Sequence, residues 1–488
     1  MVLFYVCIIL HFQAIVDSYH SFMDPPLPKP SFNPNKHLKE EFVSNLSGTS
    51  LLEIVIATVI IPVLFLIRHS ISSVSVTGAS LKKKNHDAPS RNRNLKLYVV
   101  TLSLDFLVIV VPMLLSFTVL SDWNYIWGSL FAILTMLYIA TKRYGGSSPS
   151  FEGEPNSLRT YITSYRVIVM IIACLCILAV DFRIFPRRYA KTETYGASLM
   201  DLGVGAFVLA NSLVSRPARN ITSVSWKTAI VSTSPLIIIG FLRLVTTTGV
   251  DYQVHVGEYG VHWNFFFTLA AVSILTSFIN ISPRYSGAIG SLVLVGYQFC
   301  LVQGLNHYLL SNERGTDILS QNKEGIFSIF GYWGTYLVGV QLGNYLFFRS
   351  NSSGFRSNRS VRMRVWVLSV LFWLLTVLLD RHVERVSRRT CNLPYVTMVL
   401  AENLEVLAIL MLGDFVPGTK TSILEEAFNR NLLATFLLAN ILTGLVNLSV
   451  DTLSMSSITA LLILLVYAYI LSLANGIADY FGVKLKFW

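Results

Sequence analysis

Lys191 lies ten positions after Asp181 in the stretch DFRIFPRRYAKTETYGASLMDLGVG, residues 181–205. Pro186 stops a helix and can fold the intervening chain back, so a carboxylate and an amine could meet at one site near a membrane surface. Partial burial raises a carboxyl pKa and a nearby cation lowers it. That balance can tune a general base for drawing a proton from an alcohol. The same two groups could equally form an ion pair that only anchors the loop, and spacing does not separate the two readings. Charge is concentrated here: Arg183, Arg187, Arg188 and Lys191 stand with Asp181, Glu193 and Asp201 between two apolar runs. Charges at a membrane boundary are costly unless they meet partners or do chemistry.

Other polar clusters sit at the starts of apolar runs. Asp201 is followed by Gly203 and Gly205, which would let another backbone or an acyl chain approach closely; Asp201 is expected to bond neighbouring helices or to hold Lys191. DYQVHVGEYGVHWNFF places Glu258 just before His262, Trp263 and Asn264. His262 could shuttle a proton or be a hydrogen-bonded structural histidine. Lys323 and Glu324 are adjacent at a helix entry, where substrate contact and capping are equally open. SRRTCNLPY carries Arg388, Arg389 and Asn392, and paired guanidinium donors suit a phosphate. Glu402 and Glu405 lie three residues apart on one helical face, at a depth that implies a polar cavity or proton partners. Asn440, Gly444 and Asn447 share another face, read by default as a stripe that bonds helices together.

The elements that must position these residues are transmembrane helices. The chain has 488 residues, 53% hydrophobic and only 13% charged, where a soluble protein has about a quarter charged. Its mean hydropathy is +0.58. The apolar blocks approach the roughly 20 residues needed to cross the hydrocarbon, and lack the short alternating segments of a membrane barrel. The fold class expected is an all-α polytopic membrane protein with about thirteen spans. They run 51–67, 97–120, 123–141, 165–181, 196–214, 227–248, 261–281, 286–306, 326–348, 362–379, 394–415, 432–450 and 456–475. Residues 1–50 form a tail, with an apolar start that could be an artefact of gene modelling, and 51–488 form one multi-span domain.

With the 68–96 loop on the cytosolic side, Lys and Arg divide 24 to 13 in favour of that side, and Arg243 inside a span completes the 38. That bias predicts a lumenal N-terminus and a cytosolic C-terminus. It also accounts for the net charge of +11 without nucleic acid, for which no basic and aromatic surface module is present. Two basic loops break the trend, 182–195 and 381–393, and suit either an anionic ligand or neighbouring acids. The five cysteines (Cys7, Cys174, Cys176, Cys300, Cys391) show no disulfide or zinc spacing. No HExxH, Walker loop or GxSxG elbow occurs, so no metal site or bound cofactor is expected.

Five blocks carry a resemblance: Asp181–Gly205 as quoted, EYGVHWNFF (Glu258–Phe266), NKEGIFSIFGY (Asn322–Tyr332), SRRTCNLPY (Ser387–Tyr395) and LLANILTGLVN (Leu437–Asn447). On them the chain resembles the GPI inositol acyltransferases, the phosphatidylinositol-glycan class W family of the endoplasmic reticulum. The first 22 residues fall outside it. The resemblance implies transfer of a long acyl group, usually palmitoyl, from acyl-CoA as co-substrate to the inositol 2-hydroxyl of glucosaminyl-phosphatidylinositol. It also implies thirteen spans, and its catalytic Asp and Lys correspond to Asp181 and Lys191.

Those roles fit the chemistry, because acyl transfer needs a deprotonated alcohol and a stabilised oxyanion. Asp181 is expected to take the proton and Lys191 to orient it or stabilise developing charge. Arg187, Arg188 and Arg389 are expected to hold the acceptor phosphate. Asp201, Glu258, His262, Trp263, Asn264 and Asn392 complete the substrate set. Cytosolic Lys142, Arg143, Arg216 and Arg219 are the candidates for the phosphates of CoA, and the acyl chain is expected in a crevice between spans. The rivals are a lipid transporter or flippase, which would use Glu402, Glu405 and Asp201 and show inverted repeats, and the membrane-bound O-acyltransferase class, which His262 and Asn264 suit poorly. Oligomeric state is not legible.

Overall fold

A computed structural model describes residues 36–75, 94–144, 157–221, 226–249, 256–349, 352–355, 357–415 and 421–485. The apolar start and the basic loop 82–93 lie outside the described residues. Among the described residues the regular structure is helical apart from a short antiparallel ribbon, β1 (Phe348–Arg349) and β2 (Ser352–Phe355). A short α1 (Lys36–Phe42) precedes α2 (Leu51–Ser75), α3 (Leu95–Phe117, with a π segment at Phe106–Val110), α4 (Asn124–Tyr144) and α5 (Ser157–Ala179). Next come α6 (Leu202–Leu213), α7 (Trp226–Gly249), the single turn α8 (Val256–Tyr259), α9 (Phe265–Ile279) and α10 (Pro283–Leu310). The remaining helices are α11 (Lys323–Leu346), α12 (Asn358–His382), α13 (Leu393–Leu410), α14 (Ile423–Arg430), α15 (Leu432–Ser449) and α16 (Ser457–Tyr480).

Helices occupy all thirteen expected positions. Among the described residues, nine are long and apolar enough to cross a membrane: α2, α3, α5, α7, α10, α12, α13, α15 and α16. Two others are shorter than expected. At 1.5 Å per residue, the twelve residues of α6 and the fifteen of α9 reach about 18 and 22 Å, against a core of about 30 Å. Both begin late because the chain before them is spent on polar contacts. Residues 196–201 stay irregular while Asp201 accepts from Thr192, and α9 waits for Asn264 to cap it.

The central element is α13, 89% of whose apolar window is buried. It packs on α2, α5, α6 and α12, and α6 in turn packs on α11. Small residues permit these crossings: a Cβ at Gly205 would lie 2.6 Å from Val399 of α13. By contrast α12 exposes Met363, Val367, Val370, Leu371, Leu374 and Leu378, a stripe at helical spacing. An apolar stripe of that length is stable only against lipid or another apolar surface.

Candidate active site

Asp181 lies two residues beyond the end of α5, in a buried loop that runs to Asp201. The N-terminal segment straps this loop. Thr49 N donates to Ala197 O at 2.8 Å, Glu193 N to Leu46 O at 2.9 Å, and Asn45 N to the Glu193 carboxylate at 2.5 Å. The far side of the loop is set by Arg187, whose guanidinium donates to the carbonyls of Val180, Phe182 and Phe185 and lies 3.9 Å over the Phe42 ring. Helix ends normally leave such carbonyls unpaired, so Arg187 is what lets α5 stop where it does.

The Asp181 carboxylate accepts one hydrogen bond, from Asn447 Nδ2 to Oδ2 at 2.7 Å. Lys39 Nζ donates to Asn447 Oδ1 at 3.2 Å, holding the amide so that its NH2 faces Asp181. The other oxygen, Oδ1, accepts none among the described residues. Burial pushes the Asp181 carboxyl up to about 6, while Asn447, Lys39, Arg187 and Lys191 pull it back. A carboxylate poised there is still largely ionised at neutral pH and basic enough to accept a proton.

The expected meeting of Asp181 with Lys191 does not occur. Lys191 Nζ pairs instead with Glu258 Oε1 at 2.7 Å, across 67 positions of chain. Arg188 was not free to join them: it is engaged by Glu53 at 2.7 Å and Asp122 at 2.6 Å, and Tyr189 also donates to Glu53 at 2.8 Å. Its guanidinium therefore fastens the loop to α2 and the turn before α4. Burial alone would raise Glu258, yet Lys191 and Arg388 outweigh it and hold the carboxyl down at about 2.

Arg388 links this pair to Asp201. Its Nη1 lies 3.3 Å from Glu258 and its Nε 2.9 Å from Asp201. Asp201 also accepts from Thr192 N at 3.1 Å and Thr192 Oγ1 at 2.9 Å. Asp201 thus holds Lys191 indirectly, through its chain neighbour Thr192 and through Arg388 and Glu258. Arg389 is buried against Glu324 at 2.9 Å, and Arg314 grips the same carboxylate at 2.6 Å. Lys323 donates to the carbonyls of Tyr308, Ser311 and Glu313. The phosphate clamp expected of the paired arginines is absent for a simple reason: each guanidinium already neutralises a buried acid brought from a distant helix.

The remaining candidates serve as frame. Asn264 caps α9, accepting from Phe266 N and Phe267 N and donating to Gly240 O at 3.0 Å. Asn392 caps α13 and donates to Arg385 O at 2.8 Å. The backbone N–H groups of His262 and Trp263 both donate to Asn322 Oδ1, and the Trp263 indole donates to Thr268 at 3.0 Å. Arg216 and Arg219 are exposed beyond α6, at the opposite end of the bundle from Asp181. The twelve residues of α6 alone put that end about 18 Å from Asp201, so Arg216 and Arg219 do not meet the Asp181–Lys191 loop. Lys142 and Arg143 fall in the last turn of α4, and their side chains lie outside the described residues.

A cavity of about 240 Å³ opens beside the loop. Lys191, Glu258 and Arg243 line the end nearest the loop, which we call its mouth, and most of the remaining wall is apolar, with Asn440 and Thr443 among the exceptions. On α5 the lining residues are Tyr165, Ile168, Val169, Ile172, Ala173, Cys176, Ile177 and Val180, one face at helical spacing that runs about 22 Å and ends next to Asp181. Gly203 also lines it, with no atom within 4 Å of where a Cβ would stand. Gly203 and Gly205, two apart, thus divide the roles expected of them: open space for one, helix contact for the other.

Sequence reasoning missed Lys39, which lies in the 1–50 tail where no site residue was expected, and read Asn447 only as helix adhesive. The signal for Asn447 was its place at the end of a polar stripe, since Asn440 and Thr443 on the same helix face the cavity.

The GWT1 family model matches residues 35–478. The chain belongs to the GWT1 family. A relative from Arabidopsis thaliana is 55% identical over 431 residues, covering 87% of this chain and 98% of the relative. The phosphatidylinositol-glycan biosynthesis class W protein of Dictyostelium discoideum is 35% identical, covering 79% of this chain and 88% of its own. The GPI-anchored wall transfer protein 1 of Aspergillus oryzae is 35% identical, covering 92% and 99%. The GWT1 match includes the whole candidate site from Lys39 to Asn447.

Proposed function

We propose that this chain is an O-acyltransferase of GPI-anchor biosynthesis in the endoplasmic reticulum membrane. It moves a palmitoyl-type group from acyl-CoA to the inositol 2-hydroxyl of glucosaminyl-phosphatidylinositol. The observation that carries the reading is a buried carboxylate, one oxygen of which accepts no hydrogen bond among the described residues, one residue beyond a face of α5 that lines a largely apolar cavity over about 22 Å. A bilayer core of about 30 Å holds two layers of acyl chains, so 22 Å accommodates one long chain. The names of the Dictyostelium and Aspergillus relatives support the pathway.

In this reading the acyl chain lies along α5 with its thioester at the mouth. Asp181 Oδ1 takes the inositol hydroxyl proton as the oxygen attacks the thioester carbon. A C–O bond forms, the tetrahedral centre collapses with loss of the C–S bond, and the proton on Asp181 passes to the departing thiolate. An ammonium has three donors, and among the described residues only one of those on Lys191 is used, by Glu258. The other two are available to the oxyanion, the group whose charge develops in the transition state. Glu258 and Arg388 keep Lys191 in place.

The direct test incubates the purified protein with labelled palmitoyl-CoA and glucosaminyl-phosphatidylinositol. The reading expects a product heavier by one palmitoyl group and an equal amount of free CoA. Absence of product under conditions where the protein is folded overturns it.

A further inference from the structure

The cavity has a second polar end. On α5 its lining stops at Tyr165, whose hydroxyl donates to Asn403 Oδ1 on α13 at 2.8 Å. Asn403 is itself fixed by a 2.7 Å bond to Val399 O. This bridge ties α5 to α13 across the deep end. Beside it, Glu402 lines the cavity, is 5% exposed and has no hydrogen bond or ion pair among the described residues. Its neighbour Glu405 points elsewhere, accepting from the Trp373 indole at 2.7 Å. An unpartnered carboxyl group inside a membrane protein is expensive to keep, and neither the chemistry at Asp181 nor the packing of α13 uses Glu402.

We propose that Glu402 and the Tyr165–Asn403 bridge form a polar end-stop that sets the longest acyl chain the cavity accepts. The inference rests on the acyltransferase reading above and adds the substrate's length limit. Most of the wall between mouth and end-stop is apolar, with Asn440 and Thr443 on the α15 side as exceptions, so a methylene that enters against the α5 face gains. A methyl terminus that reaches Glu402 must strip its carboxyl of whatever water hydrates it, and polar groups resist burial without a partner. The gain per carbon therefore reverses at the depth of Tyr165. Apolar residues at that depth would set no such limit, because chain and wall could slide past one another.

The test measures transfer from myristoyl-, palmitoyl-, stearoyl- and arachidoyl-CoA to glucosaminyl-phosphatidylinositol by purified wild-type, Glu402→Ala and Tyr165→Phe proteins. Removing the carboxyl should shift the optimum to longer donors. The ratio of longer to shorter donor should rise by about tenfold for each two carbons newly accommodated. Tyr165→Phe, which keeps the ring but cuts the bridge, should shift the ratio in the same direction by less. A Glu402→Ala protein with the wild-type ratio overturns the end-stop. So does one inactive with every donor if Tyr165→Phe also keeps the wild-type ratio. Wild-type protein that transfers none of the four donors overturns the functional reading instead.

Discussion

Lys191 Nζ lies 2.7 Å from Glu258 Oε1, and it forms no ion pair with Asp181. The two groups expected to act together are therefore held by different partners, one by a carboxylate and one by an amide. The arrangement separates their tasks. A direct ion pair would have lowered the basicity of Asp181. With Lys191 neutralised by Glu258, Asp181 keeps the raised pKa that burial gives it.

The pH dependence follows from that separation. Proton abstraction needs ionised Asp181, so turnover should fall with the ionised fraction as pH drops through about 6. Asn447 donates to the ionised carboxylate and lowers its pKa. Asn447→Ala should therefore move the acid limb of the rate profile to higher pH, and Lys39→Met should move it the same way. Rate profiles of the three proteins between pH 5 and 8 check this; an unmoved limb in both variants counts against Asp181 as the titrating group.

Arg388 pairs with both Glu258 and Asp201, and it is buried. Arg388→Ala leaves the buried Asp201 carboxylate without its cation while Glu258 keeps Lys191, a change that costs about 3–5 kcal/mol. The variant should lose most of its thermal stability in detergent. Arg388→Lys should recover little, since one ammonium lacks the fork that reaches both acids. Fluorescence-detected melting of the three proteins gives the comparison.

Gly203 and Gly205 should respond oppositely to the same substitution. Leucine at Gly205 meets Val399 within the α6–α13 crossing and should destabilise by about 1–3 kcal/mol. Leucine at Gly203 enters open cavity, so the protein should melt as wild type but with a raised KM for palmitoyl-CoA. Equal melting losses in both variants would mean that the space at Gly203 is not an acyl site.

Much of this was legible from residue types. The apolar blocks located the helices, and the charged loop 181–205 was the right place to look. What the chain order could not supply was partnership. Arg388 and Arg389 read as a phosphate clamp because their acids, Asp201 and Glu324, lie 187 and 65 positions away. Lys191 and Glu258 are 67 apart. The Lys39 contact joins residues 408 positions apart, and no local pattern announces it. The short α6 was missed for a related reason: Asp201 interrupts its apolar run to serve the loop, and hydropathy does not register a hydrogen bond.

The most direct measurement is palmitoyl transfer by purified Asp181→Asn protein. The substitution keeps the shape of the side chain and removes its ability to take a proton. Positioned bases contribute about 10²–10⁴-fold, so the account predicts transfer reduced by at least that lower figure in a protein that melts like wild type. Transfer at the wild-type rate would contradict it.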